Sequence, residues 1–195
     1  RITYGTANAK DLLALKHSLA YMPKLESSLQ MGKTAYITQL SKDFDPLTDI
    51  YELLERSIHP EAPFSVREGN LIRDGFHEEV DSLRDIMQNG KQWIVELELR
   101  ERGSTGLKMK VSYNKVFGYY LEVTNSFKDM VPDYYMRKQT LTNAERYITP
   151  ELKELEDVIL GAEEKLIALE YDLFCEIREH IAGEVLRIQK TAKDI

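Results

Sequence analysis

The spacing of apolar residues changes twice along this chain, and that change limits the folds open to it more than any other feature. From Val80 through Leu83, Met87, Gly90, Ile94 and Leu97 the steps are three and four, the seam of a helix lying against one partner helix. From Leu107 onward the period drops to two. Leu107, Met109, Val111 and Tyr113 alternate with Lys108, Lys110 and Ser112, and Phe117, Tyr119, Leu121 and Val123 share one face of a second strand. The three-four step resumes at Leu152, Leu155, Ile159, Ala162, Leu166, Leu169 and Leu173, then drifts through Ile177, Ile181, Val185 and Ile188. A sheet inserted between two long helical seams predicts a mainly α chain with a small antiparallel β insertion.

The remaining signals fill in this outline. Asn8 is a good N-cap for a helix carrying Leu12, Leu13, Leu15 and Leu19, and residues 24 to 42 read as one or two short helices. Asp45-Pro46 predicts a cap and a first-turn proline, with Leu47, Ile50, Leu53, Leu54 and Ile58 as the stripe that follows. Between His59 and Gly75 the turn residues predict a loop with a short hairpin, Phe64 to Val66 against Leu71 to Arg73. Thr149-Pro150-Glu151 is a strong helix start with no obvious stop before the chain ends, so residues 150 to 195 would extend about 69 Å and the earlier helix about 40 Å.

Within the β insertion, Asn114-Lys115 is a turn, Asn125 to Asp133 a crossing loop, and Thr142-Asn143 a tight turn between strands at about Tyr135 to Leu141 and Ala144 to Ile148. Counted as a simple out-and-back series, the four strands place both short turns at one far end, opposite the helices. Of the six tyrosines here (Tyr113, Tyr119, Tyr120, Tyr134, Tyr135, Tyr147), about half are expected in the core.

Composition narrows the function. The formal net charge is −7, but residues 103 to 148 hold seven basic residues against four acidic ones, and the remainder holds nineteen against twenty-nine. A solvated surface has no reason to sort its charges in this way, whereas a surface that meets phosphates needs Lys, Arg, amides and hydroxyls at exposed tips. Asn114, Lys115, Lys128, Arg137, Lys138, Thr142 and Asn143 supply them. No recognition helix with base-reading spacing is present, so contact with the backbone of duplex DNA, without sequence preference, is the expectation. Such contact should be weak, with a Kd of roughly 10⁻⁴ to 10⁻⁶ M. The competing reading is a helical scaffold whose basic β tip docks an acidic protein.

Other chemistries find no support. Gly32-Lys33-Thr34 lacks the glycine of a phosphate-binding loop, Ser27 standing in its place, and His77-Glu78-Glu79-Val80-Asp81 lacks the second histidine of a zinc-protease helix. The lone Cys175 and four scattered histidines form no metal or disulfide framework, which fits a reducing, cytoplasmic setting, and no apolar run suggests a membrane span. No catalytic residue is expected. The opening Arg1-Ile2-Thr3 is neither an initiator nor a signal peptide, so a piece of a longer protein is expected.

The run YNKVFGYYLEV from Tyr113 to Val123, followed by Pro132, Tyr135 and RKQTLTNAERYITPELKELE from Arg137 to Glu156, resembles the clamp region of the MutS family of DNA mismatch repair proteins. The opening RITYGTANAKDLLALKHSL resembles the core helices of the same family, and the likeness runs along essentially the whole chain, nearest to the bacterial members. The resemblance implies part of the core over residues 1–75, an outgoing lever helix over 76–102, a β clamp over 103–149 and a returning lever over 150–195. It implies two antiparallel levers with the clamp sheet at their far end, and contacts to the duplex backbone at Asn114, Lys115, Lys138 and Asn143. Thr142 stands where some relatives carry a basic residue.

In that family the levers couple the clamp to a C-terminal ATPase, which holds ATP and Mg, and an N-terminal Phe-x-Glu wedge recognises mismatched duplex DNA. This chain contains neither part, so no cofactor is expected in it. A second subunit of the same kind, a MutL-type partner and a nucleoid-associated location in a bacterial cytoplasm are implied for the longer protein.

Overall fold

The structure is a computed structural model that describes residues 1–194. The chain divides into two compact units: Arg1–Asp81 with the segment from Leu166 onward, and Ser82–Lys165.

The first unit is helical. Helix α1 (Ala9–Leu19) starts with a full capping box, in which Asp11 N–H donates to the Asn8 side chain and Asn8 N–H to the Asp11 carboxylate. Two short helices, α2 (Met22–Gln30) and α3 (Ala35–Asp43), follow, and neither contains a fully buried residue. Thr34 is the cap of α3, its hydroxyl accepting from Ile37 N–H at 3.3 Å, and Gly32 is packed on the Ile37 side chain. Helix α4 (Thr48–Ser57) does not begin with Asp45 as cap and Pro46 as first turn. The Asp45 carboxylate accepts from Leu47 N–H at 3.0 Å, and Leu47, buried and at φ 54, is the residue that enters the helix.

The expected hairpin of 64–66 against 71–73 is also absent. Ile72 bridges to Ile58 instead, through His59 N–H to Leu71 O at 2.9 Å and Arg73 N–H to Ser57 O at 2.8 Å. The loop is fixed by Glu170, a buried carboxylate that accepts from Asn70 N–H at 2.6 Å and Ile72 N–H at 3.4 Å. A carboxylate in an apolar stripe is tolerable when backbone donors satisfy it. Here it shifts the buried face by one residue, to Glu170, Phe174, Ile177 and Ile181 instead of Leu169 and Leu173.

The returning helix stops before the expected position. Helix α6 (Pro150–Gly183) ends where Glu184 N–H bonds to Ile181 O, and α7 (Val185–Asp194) begins anew. Arg187, held by Asp45, Asp49 and Glu184 at 2.9–3.0 Å, ties α7 to the start of α4.

The second unit contains parts of α5 (Glu78–Thr105) and α6, packed antiparallel, with the inserted sheet. Gly90 permits close approach, because a Cβ there would overlap the Ile159 side chain. Helix α5 runs through Gly103 and stops at Gly106, whose φ of 70 suits a helix C-terminus. Four strands follow, β1 (Met109–Asn114), β2 (Gly118–Thr124), β3 (Met136–Thr140) and β4 (Ala144–Ile148), in the order β1-β2-β4-β3 with antiparallel neighbours. One face places Met109, Val111, Leu121, Val123 and Tyr147 against Ile94, Leu97, Leu152 and Ile159. Three of the six tyrosines, Tyr120, Tyr135 and Tyr147, are buried, the expected half.

Candidate nucleic-acid interface

Strand pairing decides where the two polar turns lie. Because β2 and β4 pair antiparallel, with Thr124 opposite Ala144 and Leu121 opposite Tyr147, the turn leading into β4 sits beside the end of β2. The turn leading into β2 is at the other end. The two turns therefore occupy opposite ends of the sheet, which corrects the single far end expected from an out-and-back count. The reason is the connection over residues 125–135. It begins with a 3-10 helix (Asn125–Met130) and crosses the length of the sheet, delivering β3 beside Ile148 rather than turning back next to β2.

The first turn faces back along α6. The Asn114 side-chain oxygen accepts from Val116 N–H at 2.7 Å, Phe117 N–H closes the turn on Asn114 O at 3.2 Å, and Gly118 takes φ 73 opposite Asn114. This is a three-residue loop with a left-handed glycine, which orients both strands. Gly118 packs directly on the buried Glu156 carboxylate, which also accepts from Tyr119 N–H at 2.5 Å and pairs with Lys153 at 2.6 Å. Lys115 and Val116 point to solvent, Val116 being 80% exposed.

The second turn lies where the chain enters β1. Leu141 N–H bonds to Ala144 O at 2.8 Å, leaving Thr142 and Asn143 exposed at the tip. Asn125 braces them, its side-chain amide donating to Thr142 O at 2.9 Å and its N–H to Asn143 O at 3.1 Å. The same residue starts the 3-10 helix that carries exposed Lys128, so Lys128, Thr142 and Asn143 converge at one end. Lys108, just before β1, belongs to this end by register, since Met109 pairs with Val123. Neither Lys108 nor Asn125 is among the site residues expected from the sequence. Charge alone could have found Lys108, but no sequence signal marks Asn125 as a brace.

Arg137 and Lys138 sit on β3, an edge strand. The register slips between Arg137 and Gln139, so Lys138 is the extra residue of a bulge and projects free of the ladder. Arg137 lies opposite Tyr147 and reaches Glu145 at 3.5 Å. Seven of the expected site residues thus fall in three places: Asn114 and Lys115 at one end, Lys128, Thr142 and Asn143 at the other, Arg137 and Lys138 on the edge.

The charge of the sheet is partly consumed internally. Arg146 bonds Glu122 at 3.1 Å and Gln139 at 3.0 Å and lies 4.3 Å over the Tyr120 ring. The Tyr147 hydroxyl donates to Glu145, and burial followed by that bond pushes the phenol up to about 12. Among the described residues Lys108, Lys110, Lys115, Lys128 and Lys138 are exposed and form no ion pair.

Three glutamates of the helices fix the sheet in place. Glu98 accepts from Val111 N–H at 2.9 Å, Glu156 from Tyr119 N–H, and Glu101 from the hydroxyls of Tyr134 at 2.9 Å and Tyr135 at 2.7 Å. Burial first, and the Glu101 bond second, raise the Tyr135 phenol far above its ordinary range. No cluster of His, Cys, Asp or Glu among the described residues could hold a metal ion, and no described helix is long and apolar enough to cross a membrane.

Residues 75–165 match the family model described as MutS family domain IV. Over its whole length the chain is 53% identical to a DNA mismatch repair protein MutS of Lachnoclostridium phytofermentans and covers 21% of that protein. It is 53% identical to the DNA mismatch repair protein MutS of Caldicellulosiruptor bescii, covering 23%, and 50% identical to that of Alkaliphilus metalliredigens, covering 22%. The chain therefore spans about a fifth of the length of the curated relatives it matches.

Proposed function

We propose, from the premise that the chain belongs to the MutS family, that it is the part of a DNA mismatch repair protein that rests on the sugar-phosphate backbone of duplex DNA. The observation that carries this reading is the set of exposed lysines without ion pairs on the sheet, in a chain whose net charge is −7. Unpaired ammonium groups on a rigid platform release counterions from a polyanion without reading base edges.

The contact centres on the end that carries Lys128, Thr142 and Asn143, with Lys108 beside it and Lys138 on the adjoining edge. Asn114 and Lys115 lie a strand length away, about 17 Å for five residues. They meet the same duplex only where it runs along the sheet, and they contribute less. Lys128→Glu with Lys138→Glu should therefore weaken binding of the 195-residue chain to a duplex at least tenfold in a fluorescence anisotropy titration, while Lys115→Glu changes it less than threefold. The opposite ranking moves the contact to the Asn114 end. A chain that ignores duplex DNA but binds polyglutamate would favour the reading as a scaffold for an acidic protein.

Helices α5 and α6, about 42 and 51 Å long, are stiff enough to pass rigid-body movement between the grip and the ATPase of the longer protein, where ATP and Mg bind. The chain itself binds and does not catalyse. A second subunit, a MutL-type partner, mismatch selection and nucleoid association belong to the longer protein on this reading. If Gly pairs inserted midway along both helices leave ATP-driven release from DNA unchanged in that protein, the coupling role is wrong.

A further inference from the structure

Arg178 has an unsatisfied charge in the helical unit. Its Nε is buried with no hydrogen-bond partner, its Nη1 reaches Ala7 O at a long 3.4 Å, and its Nη2 reaches only the Cys175 sulfur at 3.5 Å. Among the described residues no carboxylate pairs with it, although the chain carries thirty-three Asp and Glu. Arg187, by contrast, one helix further on, is held by three carboxylates. A half-buried guanidinium with only weak acceptors is costly to maintain without an anionic partner, and its planar fork matches two oxygens of one carboxylate.

The guanidinium borders a cavity of about 650 Å³ in the same unit, lined by Arg1, Thr6, Phe64, Ser65 and Val66 among others. Arg1 is engaged by Asp11 at 2.9 Å, which leaves Arg178 as the cation with free capacity. Thr6 and Ser65 provide hydroxyls, and Phe64, 74% exposed, forms an apolar lip with Val66. Two requirements therefore meet in one place: an oxyanion for the fork and an apolar side chain for the lip. A free phosphate satisfies only the first. An Asp or Glu side chain beside an apolar residue satisfies both.

We propose that Arg178 and the cavity beside it form a carboxylate-binding site that takes an acidic, partly apolar peptide segment. The guanidinium carbon lies 5.6 Å from the centre of the Phe174 ring, a cation–π contact on one side of the group, and its planar fork favours a bidentate ligand over a point anion.

The test is an NMR titration of the 195-residue chain that follows the Arg178 Nε–Hε signal, with Arg187 as the saturated control. The probes are sodium acetate, inorganic phosphate and the blocked dipeptide acetyl-Glu-Leu-amide, at matched ionic strength. The dipeptide should shift the Arg178 signal saturably, with a midpoint about tenfold below that of acetate, the gain expected from half-burying one leucine side chain. Phe64→Ala should remove that gain, and in Arg178→Lys, followed through the backbone amides of Ser65 and Val66 that also report the wild-type titration, no saturable shift should remain. No saturable shift with any probe overturns the site. A phosphate midpoint below that of the dipeptide overturns the peptide assignment. If Arg178→Lys fails to fold, the wild-type titration and Phe64→Ala still decide the outcome.

Discussion

Single residues do unusually specific work in the β insertion. Gly118 combines a left-handed backbone with direct packing on the Glu156 carboxylate, and that carboxylate holds Tyr119 N–H and pairs with Lys153. A methyl group at this position is strained by φ and displaces the carboxylate from its donor, so both penalties act together. We expect Gly118→Ala to destabilise the chain by about 2–4 kcal/mol in urea unfolding, beyond the usual cost of a surface change. A loss below about 0.5 kcal/mol would show that the Glu156 bond is not needed. The sequence marked Asn114 and Lys115 as ligand groups because exposed turns hold polar residues. Asn114 in fact spends its side-chain oxygen on Val116 N–H, a structural task that leaves only its amide free.

At the scale of elements, the connection over residues 125–135 determines the topology, and Glu101 anchors its far end through Tyr134 and Tyr135. Both Tyr135 and Tyr147 have phenols raised above the ordinary value near 10, chiefly by burial. In the unfolded chain they release protons first as pH rises, so their stabilisation is fully present below about pH 10 and is lost on going higher. The urea midpoint should fall steeply between about pH 10 and 12, and Tyr135→Phe with Tyr147→Phe should flatten that fall. An unchanged slope in the double variant would detach the two phenols from stability.

Helix existence, strand parity within each hairpin and the 144–148 strand were legible in the sequence, because each is written in local spacing. The opposite placement of the turns was not, because it depends on which strand pairs with β2, a choice made by the crossing connection and its tyrosine anchor. The break at Glu184 was hidden for a similar reason. It follows from Arg187 reaching Asp45 and Asp49, more than 130 positions away in the chain.

At the scale of the whole molecule, charge is sorted along the chain, with residues 103–148 basic and the remainder acidic. Lys108, Lys110, Lys115, Lys128 and Lys138 of the β insertion are exposed and form no ion pair among the described residues, while Glu98, Glu101 and Glu156 of the helices are spent on anchoring the sheet. The helical unit is acidic around its own ion pairs, Lys16 and Arg73 with Glu55 and Arg187 with Asp45 and Asp49. The match of residues 75–165 to MutS family domain IV is consistent with the proposed duplex ligand. The most direct measurement is the affinity of the chain for a duplex of arbitrary sequence across a series of salt concentrations. With Lys108, Lys128 and Lys138 in contact, log K should fall against log salt with a slope near −2.7, and Lys128→Glu with Lys138→Glu should reduce its magnitude by about 1.8. A slope near zero, or one that the double variant leaves unchanged, would contradict a grip on the phosphate backbone.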